Sequence, residues 1–186
     1  MVTVNSVSEL TTALNNATGG EVIEIAASAL PARTRFTSPS GKTYSSPVTI
    51  TSLDTNNKAE FEQFTPGSGN LIFDDLRFNY QHDPTLVGVG IADAIPAEPC
   101  IDIDNVSGFT IRNCFFTITG TDPSGEITGR GIDAQISGNV HVTGCVFDSI
   151  KSHGSGSEID HGGTEESRRG AGVGWNESGH KESEPG

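Results

Sequence analysis

The sequence is poor in cationic residues, and this shortage limits what the protein can bind. Its 186 residues include 11 lysines and arginines against 24 aspartates and glutamates, which gives a net charge of −13. A chain this acidic repels the phosphates of nucleic acids and anionic membrane surfaces, so we expect neither as a partner. The same charge disfavours tight binding of a polyanionic glycan unless cations intervene.

Long hydrophobic runs are also missing. No apolar stretch approaches the length of a membrane span, so we expect no membrane insertion. Residues 1–5 lack the basic region and apolar core of a signal peptide. We therefore expect the protein to be extracellular by a route without an N-terminal signal, or to be associated with a virion.

What the sequence does contain is an internal repeat. Residues 101–116 and 132–147 follow the same pattern: Ile101 corresponds to Ile132, and Ile111 to Val142, each 31 residues apart. An earlier copy ends at residues 71–78, and a later one begins at Ile159. Such self-similarity is typical of stacked units, none of which buries its apolar face alone.

Each unit predicts three short strands. The first covers residues 101–104 or 132–134, and the second covers 109–112 or 140–143. A single bend residue follows, and then a third strand at 76–78, 114–116 or 145–147. The three bend positions hold residue types that tolerate positive φ, as a one-residue corner demands: Asp75, Asn113 and Gly144.

Stacking these units predicts ladders of inward side chains. The three predicted ladders are Phe73, Ile111 and Val142; Leu76, Cys114 and Cys145; and Phe78, Phe116 and Phe147. The two cysteines of the second ladder would lie about one strand spacing apart, roughly 4.8 Å. That spacing allows either a disulfide between units or two buried thiols that act as small apolar groups. The third cysteine is Cys100, and no cysteine or histidine spacing indicates zinc.

The repeated three-strand unit resembles the right-handed parallel β-helix of the pectate-lyase-like superfamily. Within it, the chain is similar to alginate lyase, chondroitinase B-like and mannuronan epimerase β-helices, and phage tail spikes share the architecture. The stretches that carry this resemblance are residues 4–10, residues 47–52 and the Asn-x-x-Phe/Ile units. The resemblance implies an all-β, right-handed parallel β-helix, or solenoid, of about five rungs, a rung being one three-strand unit.

The predicted organisation has three parts: an N-terminal helical cap at 1–20, a parallel β-helix at 21–160 and a flexible Gly/Ser-rich tail at 151–186. Ser6 and Glu9 form a capping box for a helix that runs to about Asn16. The apolar face of that helix would plug the open end of the β-helix. The tail contains nine glycines and six serines and has too few apolar side chains to offset its ordering entropy.

Between the helix and the repeats, the pattern predicts a strand at 21–26, a loop at 28–46 and a strand at 47–51. The loop carries Arg33, Arg35 and Lys42, which are either solvated or a contact for a carboxylated or sulfated sugar. Residues 59–64 are interpreted as an early copy of the first strand. Residues 80–99 and 119–130 are predicted insertions in equivalent places.

Carboxylates recur on the outward side of the predicted first strands. They are Glu60, Glu62, Asp102, Asp104, Asp133 and Asp160. A lyase of the family that the chain resembles needs a cation, a base and an acid, and the candidates are Asp102, Asp133, Arg130 and Lys151. The alternative interpretation is a solvated acidic surface. A weak Ca²⁺ site is predicted at Asp102, Asp104 and Asp133, because oxygen ligands at a flexible surface favour calcium.

The expected function is a non-catalytic carbohydrate-recognition or structural β-helix module, of the secreted glycan-binding or phage tail and surface type. The alternative is a polysaccharide lyase or epimerase that acts on uronate-containing glycans, or a fragment of one. The expected partners are a polysaccharide or cell-surface glycan, and a second copy or assembly partner that caps the open C-terminal end.

Overall fold

The computed structural model of the chain describes residues 1–81, 99–119, 130–135 and 138–148. Within these ranges fourteen strands build three sheets, and every pair of neighbouring strands is parallel. Apart from one α-helix and one short 3-10 turn at Ala27–Ala29, the regular structure in these ranges is β. This arrangement is consistent with the predicted all-β parallel solenoid.

Sheet A has six strands. They are β1 (Val2–Val4), β2 (Val22–Ile25), β4 (Lys42–Ser52), β7 (Ser68–Asp74), β10 (Phe109–Arg112) and β13 (Val140–Thr143), in this spatial order. Sheet B consists of β3 (Arg35–Thr37), β6 (Gln63–Thr65), β9 (Pro99–Asp104) and β12 (Arg130–Gln135). Sheet C consists of β5 (Glu60–Phe61), β8 (Arg77–Gln81), β11 (Phe115–Thr119) and β14 (Val146–Asp148).

From β3 onward the chain visits the sheets in a fixed cycle of B, then A, then C. The cycle repeats to β14, so each sheet gains one strand per turn of the chain. This order matches the predicted first, second and third strands of the repeat. The rung count of about five stays a prediction.

The predicted ladders are confirmed by the strand register. Ile111 pairs with Phe73 on one side and Val142 on the other. Phe116 lies between Phe78 and Phe147, with ring centroids 4.9 and 4.7 Å away and ring planes within 9° and 7° of parallel. The sheets thus enclose a continuous apolar core along the stacking direction.

The corners between sheets use residues at positive φ, as the repeat predicts. Asp75, Asn113 and Gly144 have φ of 55°, 54° and 61° at the turn from sheet A to sheet C. A second corner precedes the sheet A strands, where the sequence predicts Ser-Gly turns, and its positive φ values of 58°, 82° and 56° fall on Asn70, Gly108 and Asn139. Side chains other than glycine's fit this backbone only with strain, and asparagine and aspartate tolerate it best.

The helix α1 (Val7–Asn16) has the predicted length. The Glu9 N–H donates to Ser6 Oγ (3.1 Å), and the Glu9 carboxylate reaches back to accept from the N–H of Asn5 (2.7 Å). Leu10 and Leu14 are fully buried, with Val7 and Ala13 packed against the same core. The helix lies beside β1 and β2 at one end of sheet A. Its role as an end plug stays a prediction.

Three strands or parts of strands were not predicted from the sequence: β1, β3 and the first half of β4. Strand β1 was not predicted, because residues 1–5 were considered only as a leader. Residues 28–46 were predicted as a loop, but β3 and the start of β4 lie there. The pairing of β4 with β7 contains a register shift between Thr43 and Val48. This shift breaks the alternation of inward and outward side chains, so the first half of β4 could not be recognised from the sequence.

Several predictions fall outside the described residues. These include the bodies of both insertions, the flexible tail and the later copy that begins at Ile159. In the described part of the chain, no helix combines the length and apolar character of a membrane span.

Candidate functional site

The predicted acidic ladder is present in part on sheet B. Asp102 of β9 pairs in register with Asp133 of β12, and Asp104 pairs with Gln135. Asp133 is buried, Asp102 is half-buried and Asp104 is exposed. The Asp104 carboxylate accepts a hydrogen bond from Asn105 Nδ2 at 2.9 Å. The sheet therefore brings Asp102 and Asp133 side by side, as the repeat predicts.

The earlier members of the predicted ladder lie elsewhere. Residues 59–64 were interpreted as one strand, but β5 joins sheet C and β6 joins sheet B, with Glu62 at the corner between them. Phe64 pairs with Ile101, so Thr65 rather than Glu60 or Glu62 lies beside Asp102. The sequence carries a signal of this corner, because the large apolar residues Phe61 and Phe64 are three residues apart, which does not fit the two-residue period of one strand. Both are buried in the structure.

The other two catalytic candidates are Arg130 and Lys151. Arg130 begins β12, three residues before Asp133, and its backbone pairs with that of Pro99 in β9. Lys151, together with Asp160, lies outside the described residues. The structure thus places two of the four catalytic candidates, Asp102 and Asp133, next to each other.

The calcium prediction concerns the same strands. Across the ranges that the structure describes, no group of three or more His, Cys, Asp or Glu side chains is placed to hold a metal ion. Asp102 and Asp133 are neighbours, but the partner of Asp104 in the register is an amide residue. The calcium site at Asp102, Asp104 and Asp133 stays a prediction.

A buried carboxylate binds two of the cations of residues 28–46, which the sequence predicts to be either solvated or a contact for a sugar. Glu62 is only 2% exposed, and its Oε2 accepts from Arg33 Nε at 3.1 Å. Its Oε1 accepts from Arg33 Nη2 at 3.1 Å and from Arg35 Nη2 at 2.9 Å. Arg33 also donates to the carbonyl of Gln81 at 3.2 Å. We call these three side chains the Glu62 cluster.

The third cation of that segment, Lys42, is bound to the end of α1. Its Nζ donates to the carbonyl of Leu14 at 3.2 Å and also to that of Asn15. The hydroxyl of Tyr44 donates to the same Leu14 carbonyl at 3.1 Å. A cation at a helix C-terminus satisfies carbonyls without intrahelical partners and complements the helix dipole.

The remaining cations whose side chains are described form pairs between or within units. Arg77 Nε lies 2.9 Å from Glu60 Oε2, and Lys58 is paired with Asp75. Arg112 Nη2 lies 2.8 Å from Asp74 Oδ2, an ion pair between neighbouring units. All six described Lys and Arg side chains therefore have a partner within the chain.

The outer face of sheet C carries two apolar neighbours. Phe115 and Val146 pair in register, and Val146 is 53% exposed. The guanidinium of Arg77 lies over the Phe115 ring, 5.4 Å from its centroid. One face of that ring is thus already covered, which leaves less of it for a sugar to stack on.

All three cysteines are free thiols and are buried. Cys114 and Cys145 lie in the ladder that the repeat predicts, and the thiol alternative describes their state. Burial raises the pKa of Cys100 to about 12.

Comparisons with known proteins found no matching family model, no matching curated protein and no matching solved structure.

Proposed function

We propose that this chain is a right-handed parallel β-helix of the pectate-lyase-like superfamily that acts as a non-catalytic carbohydrate-recognition or structural module. Its three parallel sheets and the fixed cycle of strands from β3 onward support the architecture. The proposed setting is outside the cell, reached without an N-terminal signal, or within a virion, as in phage tail and surface proteins.

The observation that carries the non-catalytic proposal is the internal pairing of the cations. A lyase needs a cation to neutralise the uronate carboxylate while a base removes the α-proton. The sequence offers Arg33, Arg35 and Lys42 as a contact for a carboxylated or sulfated sugar. Arg33 and Arg35 bind Glu62, and Lys42 binds the end of α1. These contacts join neighbouring parts of the chain, so the three side chains are already bound within the fold.

The overall charge of the chain indicates which class of glycan the module binds. With a net charge of −13, the chain repels polyanionic glycans at long range. The proposed ligand is therefore an uncharged polysaccharide or cell-surface glycan. Where the module is structural, the partner is a second copy or an assembly protein that caps the C-terminal end.

A second candidate function is a polysaccharide lyase or epimerase that acts on uronate-containing glycans. The specific observation in its favour is the pairing of Asp102 with Asp133, in the strand that begins at Arg130. Two neighbouring carboxylates supply the acid and the base of such a reaction, or ligands for a cation that neutralises the uronate.

A glycan array probed with the full chain tests the proposal. The array includes uncharged, uronate-containing and sulfated glycans, and the salt concentration is physiological. Binding confined to uncharged glycans supports the recognition role. Absence of binding together with concentration-dependent association in light scattering supports the structural role. Binding confined to uronate-containing or sulfated glycans contradicts both.

A further inference from the structure

Cys114 and Cys145 occupy the same position in two consecutive units. Each follows a corner residue, Asn113 or Gly144, and precedes the first residue of a sheet C strand. Hydrogen bonds hold the two backbones together on both sides of the pair. The Asn113 N–H donates to Thr143 O at 3.1 Å, and the Val146 N–H donates to Cys114 O at 2.9 Å. The two Cα atoms are thus held at about the spacing of neighbouring strands, within the range that a disulfide requires.

The two side chains also point the same way and have matching surroundings. Both are buried, at 1% and 5% exposure. Cys114 Sγ donates to the carbonyl two residues earlier at 3.2 Å, and Cys145 Sγ does the same at 3.5 Å. Each Sγ also lies near a carbonyl of the preceding unit, Phe73 O at 3.7 Å and Ile111 O at 3.6 Å. Equivalent geometry in adjacent units stacks one sulfur above the other.

The two thiols differ in how readily they ionise. A hydrogen bond between the Cys114 and Cys145 side chains, together with burial, raises the pKa of Cys114. The same interaction with the Cys114 side chain lowers the pKa of Cys145. Cys145 is also the more exposed of the two, at 5% against 1%. Cys145 is therefore the thiol of the pair that reacts first with an oxidant.

We propose that Cys114 and Cys145 form a dithiol oxidation site that closes a reversible disulfide between two neighbouring units of the solenoid. The oxidant is a small peroxide, since the buried sulfurs admit hydrogen peroxide more readily than a bulky disulfide. The bond would lock the unit formed by β12, β13 and β14 to the unit before it.

The reaction is balanced with one molecule of hydrogen peroxide. The Cys145 thiolate attacks one peroxide oxygen, the O–O bond breaks, and the departing hydroxide takes up a proton to become water. Cys145 is then a sulfenic acid. The Cys114 sulfur loses its proton and attacks Cys145 Sγ, the S–O bond breaks, and the second oxygen leaves as water. The two sulfurs together lose two electrons to the peroxide.

Cys100 provides a control within the same chain. It is buried in β9, and the register places it beside Gly131 of β12, so no cysteine lies next to it there. Burial raises its pKa to about 12, which leaves almost no thiolate at neutral pH. Peroxide should therefore oxidise the Cys114–Cys145 pair at least ~10-fold faster than Cys100.

The experiment treats the reduced, folded full chain with a small excess of hydrogen peroxide and follows intact mass and peptide maps. A mass loss of about 2 Da, a Cys114–Cys145 cross-linked peptide and full recovery with a reductant are expected. Cys100→Ser should keep the cross-link, whereas Cys114→Ser and Cys145→Ser should lose it. Oxidised wild-type protein should melt several degrees higher than reduced protein, because the bond closes a loop across 31 positions of sequence.

The wild-type map decides the matter even where a serine variant folds poorly. Oxidation at Cys100 as fast as at the pair would overturn the proposal. So would sulfinic or sulfonic acids without a cross-link, or a cross-link that forms only after the chain is unfolded in urea.

Discussion

Glu62 shows how a single buried carboxylate can hold neighbouring cations in place. Its carboxylate is 2% exposed, yet Arg33 and Arg35, which bind it, remain 42% and 41% exposed. A buried carboxylate without cations would carry a large desolvation cost, so the arginines are held by the energetics of the fold. The spacing of 27 residues between Arg35 and Glu62 is close to one repeat, which is the sequence signal that links them.

Glu62→Gln tests this interpretation against a matched exposed pair. The substitution leaves two arginines without their carboxylate and should lower the free energy of unfolding by about 2 kcal/mol. Glu60→Gln removes the partner of Arg77 from a pair that is 45% and 41% exposed. That control should cost only ~0–1 kcal/mol. Urea unfolding of both variants measures the difference, and equal losses would mean that the Glu62 cluster is no more than a surface ion pair.

Glu21 predicts a pH dependence. Its carboxylate accepts from the N–H of Thr18 at 3.0 Å and of Gly19 at 2.7 Å, and these backbone hydrogen bonds lower its pKa from 4.5 to about 2. A depressed pKa means that the stabilisation is complete above pH 4.5 and is lost as the pH falls towards about 2. In thermal melts over this window, Glu21→Gln should flatten the acid loss of stability. An unchanged acid limb would show that other carboxylates account for it.

At the scale of elements, the best-defined feature is the aromatic stack on the inner face of sheet C. Phe78 and Phe116 are fully buried, and Phe147 at the end of the stack is half-buried. Parallel in-register strands place identical side chains one above another, so one repeat of the pattern predicts the whole stack.

Phe116→Ala removes the middle ring of this stack and should lower the free energy of unfolding by about 3–5 kcal/mol. The loss combines the transfer free energy of the ring with the cavity left between two aromatic neighbours. Phe147→Ala is the control, and its loss should be clearly smaller because that ring is already half-exposed. Chemical denaturation compares the two, and a near-neutral Phe116→Ala would mean that the assigned register is wrong.

The elements also show where prediction from sequence succeeded and where it failed. Residues 101–116 and 132–147 predicted three strands each, because their alternation, corners and spacing agree with one another. Strand β3 has only three residues and β1 only three, too few for a period-2 pattern to be recognised. The prediction of one strand at residues 59–64 was wrong, because a corner residue such as Glu62 has the same polar character as an outward residue within a strand. The turn before the second strand was predicted, but its positive φ at Asn70 and Asn139 was not, because asparagine is common in turns of many kinds.

For the whole molecule, stacking places strands of each sheet in the order of the repeats, and this could be predicted. The acidic neighbours Asp102 and Asp133 follow from that order alone. The partners of the cations could not be predicted in the same way. Which carboxylate an arginine contacts depends on corners and register shifts, as at Glu62 and within β4. The positions of corners and register shifts are only weakly indicated by the sequence.

The central proposal is that this chain binds a glycan or acts as a structural module, and that it does not cleave glycans. The most direct measurement incubates the full chain with alginate, chondroitin and pectate, with and without calcium, and follows the ultraviolet absorbance of unsaturated uronate. We predict no increase above buffer, because the six described cations are engaged within the fold. An increase that scales with protein concentration and disappears in Asp133→Asn would contradict the claim and establish the lyase alternative.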